Sequence, residues 1–397
     1  MEFIKIGIWK NLSLKMSLLA GILFLITASC MSQNESDTDD NKTIGSLYTQ
    51  PNKKGVTEKE QALAESKSGD AYQFMNLRKT IGALNVMISA TGKEYWINQQ
   101  TEIIDNLIQT AETSSGIPNN QTFRDDFKGW ISLTKNRSYY NEVPLFESYS
   151  FFYIMQFLFL TRNNGWMEKT DSNRLWWNNT LAFVEKNIWT KWYERSFSTY
   201  KNHYRYFLRT RTHMGSHWAG LAMYLNAVTS DKQIQSQTAL LVRQYDTLLK
   251  RNLKVSGDGY IWNCTYDNVE GTFAGSSPQK IIQDVSHGNH VVSYIIAAYE
   301  FGNDNWTLAD INRLSYTLKK NVYDSSKNIF HDNVDGSSGE DRPGWGNFVA
   351  DGWVKLATYD NEIKAIFRNF EKSKMLKKYN YEFEFKANLN KKQLGGG

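Results

Sequence analysis

Apolar residues recur at i, i+3, i+4 and i+7 through most of this chain, the pattern of helices that each bury one face. It predicts helices over Tyr72–Ser89, Glu94–Thr113, Glu147–Thr161, Asn173–Thr190, Met214–Ala227, Lys232–Asn252, His287–Phe301, Leu308–Tyr323, Phe348–Thr358 and Glu362–Ser373. Strand-like alternation is nearly absent. The helices are of similar length and their loops alternate between short and long, which suggests paired antiparallel helices. No sequence repeat is visible, so the solenoid families are not supported. The predicted fold is therefore all-α, a single-domain (α/α) toroid or barrel of helical hairpins, with an open helical array as the other arrangement. Asp171 or Ser172, Ser286 and Thr307 stand where a side-chain oxygen can accept an N–H of the first helical turn, and are expected caps.

Residues 1–30 follow a different pattern. Lys5, Lys10 and Lys15 surround the approach to an apolar run from Leu18 to Ile26, broken only by Gly21 and followed by Thr27-Ala28-Ser29-Cys30. A positive start, a short apolar stretch and small residues describe a signal peptide. The run falls short of the roughly 20 apolar residues of a membrane span. The segment resembles the bacterial lipoprotein signal, although Thr27 stands where that pattern usually has Leu. The resemblance implies that Cys30 becomes the acylated first residue of the mature protein and its membrane anchor; plain secretion is the alternative. Glu35, Asp37, Asp39 and Asp40 among Ser and Asn read as an acidic tether, similar to leaders that send lipoproteins of polysaccharide-degrading bacteria to the cell surface. The expected organisation is a leader at 1–30, a polar flexible linker at 31–68, a helical catalytic domain at 69–385 and a polar tail at 386–397. The expected location is the periplasm or the cell surface, as a lipoprotein of the bacterial outer membrane.

The net charge of +5 is spread along the chain without Lys/Arg blocks, which argues against nucleic acid as a partner. Cys264 is the only cysteine besides Cys30, and in an exported protein it is expected as a buried thiol. Thirteen Trp and twenty-two Tyr supply flat amphipathic surfaces. Such surfaces suit sugar rings, although most of them should be core.

Four of the six histidines fall in two clusters. His213 and His217 lie in R-T-R-T-H-M-G-S-H-W-A-G-L, and His287 and His290 in Q-D-V-S-H-G-N-H-V-V-S-Y, each at a helix start. Spacings of four and three put each pair on one helical face, and equivalent helix starts of stacked hairpins meet at one end. Imidazoles gathered there suit proton transfer or stabilisation of a developing anion. A metal is the competing use: H-x-x-x-H is a zinc spacing, and Asp284, His287 and His290 would be the ligand set. The Glu of H-E-x-x-H is absent, so no cofactor is expected, a divalent metal being the open exception.

Between the clusters, Gly257, Asp258 and Gly259 signal a turn. Beyond it Tyr260, Trp262 and Tyr266 alternate onto one face. Tyr266 is either a phenolic acid or base, or packing. Arg209 and Arg211, with Arg205, are either solvated or able to grip a carboxylate bidentately. Glu147 opens a very apolar helix, either as a favourable charge at its N-terminus or as a group in a cleft. Trp218, next to His217, and Trp345, in the loop R-P-G-W-G-N-F-V-A-D-G-W, are candidate sugar-contacting rings.

From Glu147 to Asp360 the chain resembles the α/α-barrel polysaccharide lyases, particularly those acting on alginate and related uronates. T-H-M-G-S-H-W-A-G-L resembles their helix start with an Asn-His pair and a following aromatic. D-G-Y-I-W resembles their turn and strand, and D-V-S-H-G-N-H-V-V the helix start bearing the catalytic tyrosine. This chain has His213 and Gly215 where Asn and His stand in the family, and Ser286-His287 near the tyrosine's place. No Arg precedes Asp284 directly, Lys280 being the nearest cation. The resemblance implies β-elimination of an acidic polysaccharide. His213, His217, Tyr266 and His287 would be the catalytic groups, and Glu147, Arg209, Arg211, Trp218, Tyr260, Trp262, His290 and Trp345 would contact substrate. Hydrolysis would need two carboxylates flanking the bond, for which Glu147, Asp267 and Asp284 are available. A glycoside hydrolase on the same fold and a non-enzymatic glycan-binding lipoprotein are the alternatives.

Overall fold

The computed structural model describes residues 39–52, 55–266, 281–338, 344–371 and 381–391. The leader with Cys30, and Asp267 and Lys280, lie outside them. The described residues from Thr43 onward form one compact unit, mostly helical, and three two-stranded antiparallel hairpins are found among them.

Two kinds of helix build it. Helices α3 (Phe74–Thr91), α5 (Pro144–Asn163), α9 (Thr212–Val228) and α11 (Val285–Phe301) are buried on most of their circumference. Helices α4 (Glu94–Gln109), α6 (Asp171–Val184), α10 (Lys232–Asn252) and α12 (Leu308–Thr317) bury a single stripe. In α10 that stripe is Ile234, Thr238, Leu241, Tyr245 and Leu249, the spacing of one face. The first group packs in chain order, α3 on α5, α5 on α9 and α9 on α11, and each member also packs against the single-stripe helix that follows it. A 3₁₀ segment, Trp353–Thr358, packs on α11 and on α14 (Glu382–Leu389), and α14 packs on α3. The remaining α-helices among the described residues are α1 (Asp39–Thr49), α2 (Glu58–Ser66), α7 (Lys191–Tyr200), α8 (Arg205–Leu208) and α13 (Asn361–Phe370).

Several boundaries differ from the sequence pattern. The stretch expected as a linker contributes α1 and α2, because Ile44, Tyr48 and Ala62 find core: the Tyr48 ring meets Trp96 and Phe383. The expected tail starts later, since Ala387 and Leu389 are buried in α14. The helix from Glu94 stops at Gln109, and Glu112–Thr113 instead pairs as β1 with β2 (Lys128–Gly129). Phe348–Thr358 is no α-helix; its apolar residues serve a loop and the 3₁₀ segment. The cap of α6 is Thr170, whose hydroxyl accepts from Asn173 N, rather than Asp171 or Ser172. The cap of α11 is Asp284 rather than Ser286. At Thr307 the Asp310 carboxylate accepts from both the backbone N–H and the hydroxyl at 2.8 Å.

Glu147 does stand in the first turn of α5, but it is turned into the core and lines no cleft. It is fully buried, accepting from Lys191 Nζ and Trp192 Nε1, both at 2.7 Å. Lys191 also faces Glu142, which with Asp125 receives Arg195 at 2.8 Å. Burial raises the Glu147 pKa and lowers that of Lys191, each opposed by the partner's charge. Truncating one partner strands the other charge in the core. Lys191→Met is therefore expected to cost about 3–5 kcal/mol, read from urea unfolding midpoints.

Candidate functional site

The starts of α9 and α11 are stitched together by the segment that follows the β3–β4 hairpin (Lys254–Ser256 and Gly259–Ile261), through isolated bridges Arg211–Thr265 and Asn263–Ile282. Thr212 N donates to Cys264 O at 3.0 Å, the Thr212 hydroxyl to Gln283 Oε1 at 2.9 Å, and Gln283 N to Trp262 O at 2.9 Å. Cys264 itself is a buried free thiol. Gly215 lets the chain close here, because a Cβ would meet the Tyr245 ring at 2.7 Å and the Tyr266 hydroxyl at 2.8 Å. The result is two facing histidine pairs. The rings of His213 and His287 are 4.2 Å apart, and those of His217 and His290 are 4.6 Å apart.

The outer pair is organised by Asp284. Its carboxylate accepts from His287 N at 2.8 Å, capping α11, and reaches His287 Nδ1 at 2.9 and 3.0 Å. An ionised carboxylate only accepts, so Nδ1 carries the proton and Nε2 is left as the basic nitrogen. The His287 side chain keeps 26 % exposure, and the half-buried Trp345 ring lies 5.1 Å away. His213 is buried, and burial above all, then His287, holds its pKa well below the ordinary value.

The inner pair is sealed. His217 meets the Tyr149 ring at 4.5 Å, and His290 meets it at 5.6 Å. His290 Nδ1 lies 3.5 Å from Asp351. Asp351 also receives Lys355 Nζ at 2.9 Å, Ser293 Oγ at 3.1 Å, Arg78 Nη1 at 3.5 Å and the Tyr153 hydroxyl. Burial favours the neutral acid, but Lys355, His290 and Arg78 outweigh it and hold the Asp351 pKa well below the carboxylate range. Burial holds His217 well below its ordinary value and brings His290 down to about 4, with Arg78 adding to the effect on His290 and Asp351 opposing it.

This contact explains two sequence motifs at once. Asn289 Oδ1 accepts from Gly352 N at 2.7 Å and Trp353 N at 3.0 Å, so N-H at 289–290 docks onto D-G-W at 351–353. A Cβ on Gly352 would lie 1.9 Å from Asn289 O. Gly352→Ala is therefore expected to cost about 1–3 kcal/mol, read from the same unfolding midpoints.

A pH dependence follows. His290 titrates near 4 when folded and near its ordinary 6.5 when unfolded, so between those values the unfolded chain holds more protons. Stability contributed by His290 is then lost as pH falls from 6.5 towards 4. Glu384, which burial raises to about 7, works in the opposite direction. His290→Gln should remove part of the acid-side slope, measured as denaturant midpoints between those pH values.

Of the residues chosen from sequence, the structure brings His213, His217, His287, His290 and Trp345 together. Trp218 is core, packed on Phe207 at 4.7 Å, and Trp262 is core, stacked with Trp353 at 6.1 Å. The Tyr260 hydroxyl donates to Asp310 at 2.8 Å, away from the histidines. Tyr266 is 1 % exposed, and burial raises its phenol pKa further, so it retains its proton and is a poor base. Arg211 stands at the start of α9, where its charge acts on His213; Arg209 is half-buried. The three candidate metal ligands do not converge: Asp284 engages His287 while His290 turns to Asp351. Among the described residues no group of three His, Cys, Asp or Glu is placed to hold a metal ion.

Sequence reasoning missed Tyr149, Tyr153, Arg78, Asp351 and Lys355. The two tyrosines carried a usable signal, because an i, i+4 pair of polar rings in an otherwise apolar helix faces one neighbour. No protein-family model matches this chain, and neither the curated proteins nor the solved structures compared with it give a match.

Proposed function

We propose that this chain is an exported polysaccharide lyase that cleaves an acidic, uronate-containing polysaccharide by β-elimination on an α/α-toroid scaffold. The scaffold reading is supported by the succession of contacts α3, α5, α9, α11, the 3₁₀ segment, α14 and back to α3, with α4, α6, α10 and α12 outside. The observation that carries the chemistry is the Asp284–His287 dyad, a partly exposed imidazole whose tautomer is set by a carboxylate at 2.9 Å.

His287 Nε2 takes the proton from carbon 5 of a uronate. The C5–H electrons form the C4–C5 double bond, the C4–O bond breaks, and the leaving oxygen receives a proton from the imidazolium. No water is consumed. The guanidinium of Arg211 neutralises the uronate carboxylate, which makes the C5 proton removable. His213, neutral at pH 7, acts as a hydrogen-bond donor and not as a charge, and His217 packs behind it in the sealed inner pair. Hydrolysis is less well supported, because Glu147 is locked to Lys191 and Trp192 and Asp284 to His287. An extracellular polymer as substrate is in keeping with the leader and the acylated Cys30. None of the described helices is long and apolar enough to cross a membrane.

Digestion of polyuronates in water enriched in heavy oxygen tests the reaction class. Elimination gives oligosaccharides with no heavy oxygen at the cut. Incorporation of one label per cleavage would establish hydrolysis.

A further inference from the structure

The segment that joins α7 to α9 carries features that the histidine centre does not use. Arg209 has φ 55° and ψ −166°, a backbone region occupied almost only by glycine, in which a side chain is strained. Packing alone gives no reason to keep an arginine there. No carboxylate pairs with it among the described residues. Its neighbours are instead the phenols of Tyr200 and Tyr206 and the guanidinium of Arg205, and burial lowers its pKa. A half-buried guanidinium beside phenols and a second cation, with no carboxylate to balance it, points to an anion that arrives from outside.

The surroundings suit a sugar as the carrier of that anion. Tyr200 is 45 % exposed, its ring 5.2 Å from Tyr206 and 4.7 Å from the Arg205 guanidinium. Tyr206 is anchored, its N–H donating to Ser196 Oγ at 3.0 Å and its ring meeting Trp192 at 5.3 Å. An exposed phenol ring beside a fork of N–H donors offers a face to sugar C–H groups and a grip for a carboxylate. Only Thr210 separates Arg209 from Arg211, where α9 and its histidines begin.

We propose that Arg209, Tyr200 and Tyr206 form an anion subsite that binds the carboxylate of an acidic sugar residue beside the histidine centre. The subsite rests on the reading of the substrate as an acidic polysaccharide. It holds the chain that His287 cuts and takes no part in proton transfer.

Affinity electrophoresis of the full chain carrying His287→Ala tests it, in gels cast with alginate, polygalacturonate, hyaluronate or neutral laminarin. The expected result is retardation by at least one acidic polymer, weakened about tenfold or more by adding Arg209→Gly and clearly weakened by Tyr200→Ala. Because glycine relieves the backbone, Arg209→Gly is also expected to unfold at the same or a higher temperature than its parent, which an arginine kept for structure would not do. Retardation that survives Arg209→Gly, equal retardation in laminarin, or a fall in the unfolding temperature of Arg209→Gly overturns the subsite alone. A parent that no acidic polymer retards overturns the subsite and the substrate class together.

Discussion

His287→Ala is expected to lower turnover of an acidic polysaccharide by about 10²–10⁴-fold while leaving the unfolding transition nearly in place. The cap of α11 survives the change, since the bond from residue 287 N to Asp284 is a backbone bond. The side chain removed is partly exposed, and its Nδ1 is held by Asp284. Asp284→Asn sharpens the test. Asparagine caps a helix about as well as aspartate but no longer demands a proton on Nδ1, so turnover should fall with helicity retained. Initial rates and circular dichroism on the same preparations read both. An unchanged rate in folded His287→Ala would remove this imidazole from the chemistry.

Asp351→Ala is expected to destabilise the fold by about 3–5 kcal/mol. The carboxylate is 2 % exposed and gathers Lys355, Arg78, His290, Tyr153 and Ser293. Its removal leaves two cations facing each other across a vacated site, with only Glu384, 3.7 Å from Arg78, to offset them. Urea unfolding reads the loss, with Lys169→Ala at the exposed Lys169–Glu94 pair as a control expected near zero. A loss under about 1 kcal/mol would mean that water reaches the cluster and screens it.

The contrast between Asp351 and Asp284 also shows where the sequence is readable. Helices with a single apolar stripe, such as α10, are legible because burial of one face leaves a period that survives any tertiary arrangement. The convergence of the two histidine pairs was likewise reachable, since both sit at helix starts and spacings of four and three fix their faces. Asp284 lies three residues from His287, within the same turn, and could be weighed. Asp351 lies 61 residues from His290 and 273 from Arg78, and nothing local marks such a partnership. The aromatic choices failed for a different reason. Trp218 adjoins His217 in sequence, but neighbouring helix positions are rotated by about 100°, which carries Trp218 into the core against Phe207. Glu147 is a first-turn acid as its position suggests, but nothing local reveals that Lys191, 44 residues on, is its buried partner.

Polarity alone hides the helices of the expected linker. Between Asp39 and Ser66 the apolar residues are few, but Ile44, Tyr48 and Ala62 are each spaced to reach a helix face and each finds core. A short helix of this kind owes its stability to the surface it covers rather than to its own propensity.

The most direct measurement is ultraviolet absorbance of the wild-type chain acting on a panel of acidic polysaccharides, which detects the C4–C5 double bond as it forms. The account predicts a steady rise on at least one polyuronate that is abolished by His287→Ala. A flat trace accompanied by new reducing ends would contradict it and assign the histidine centre to hydrolysis.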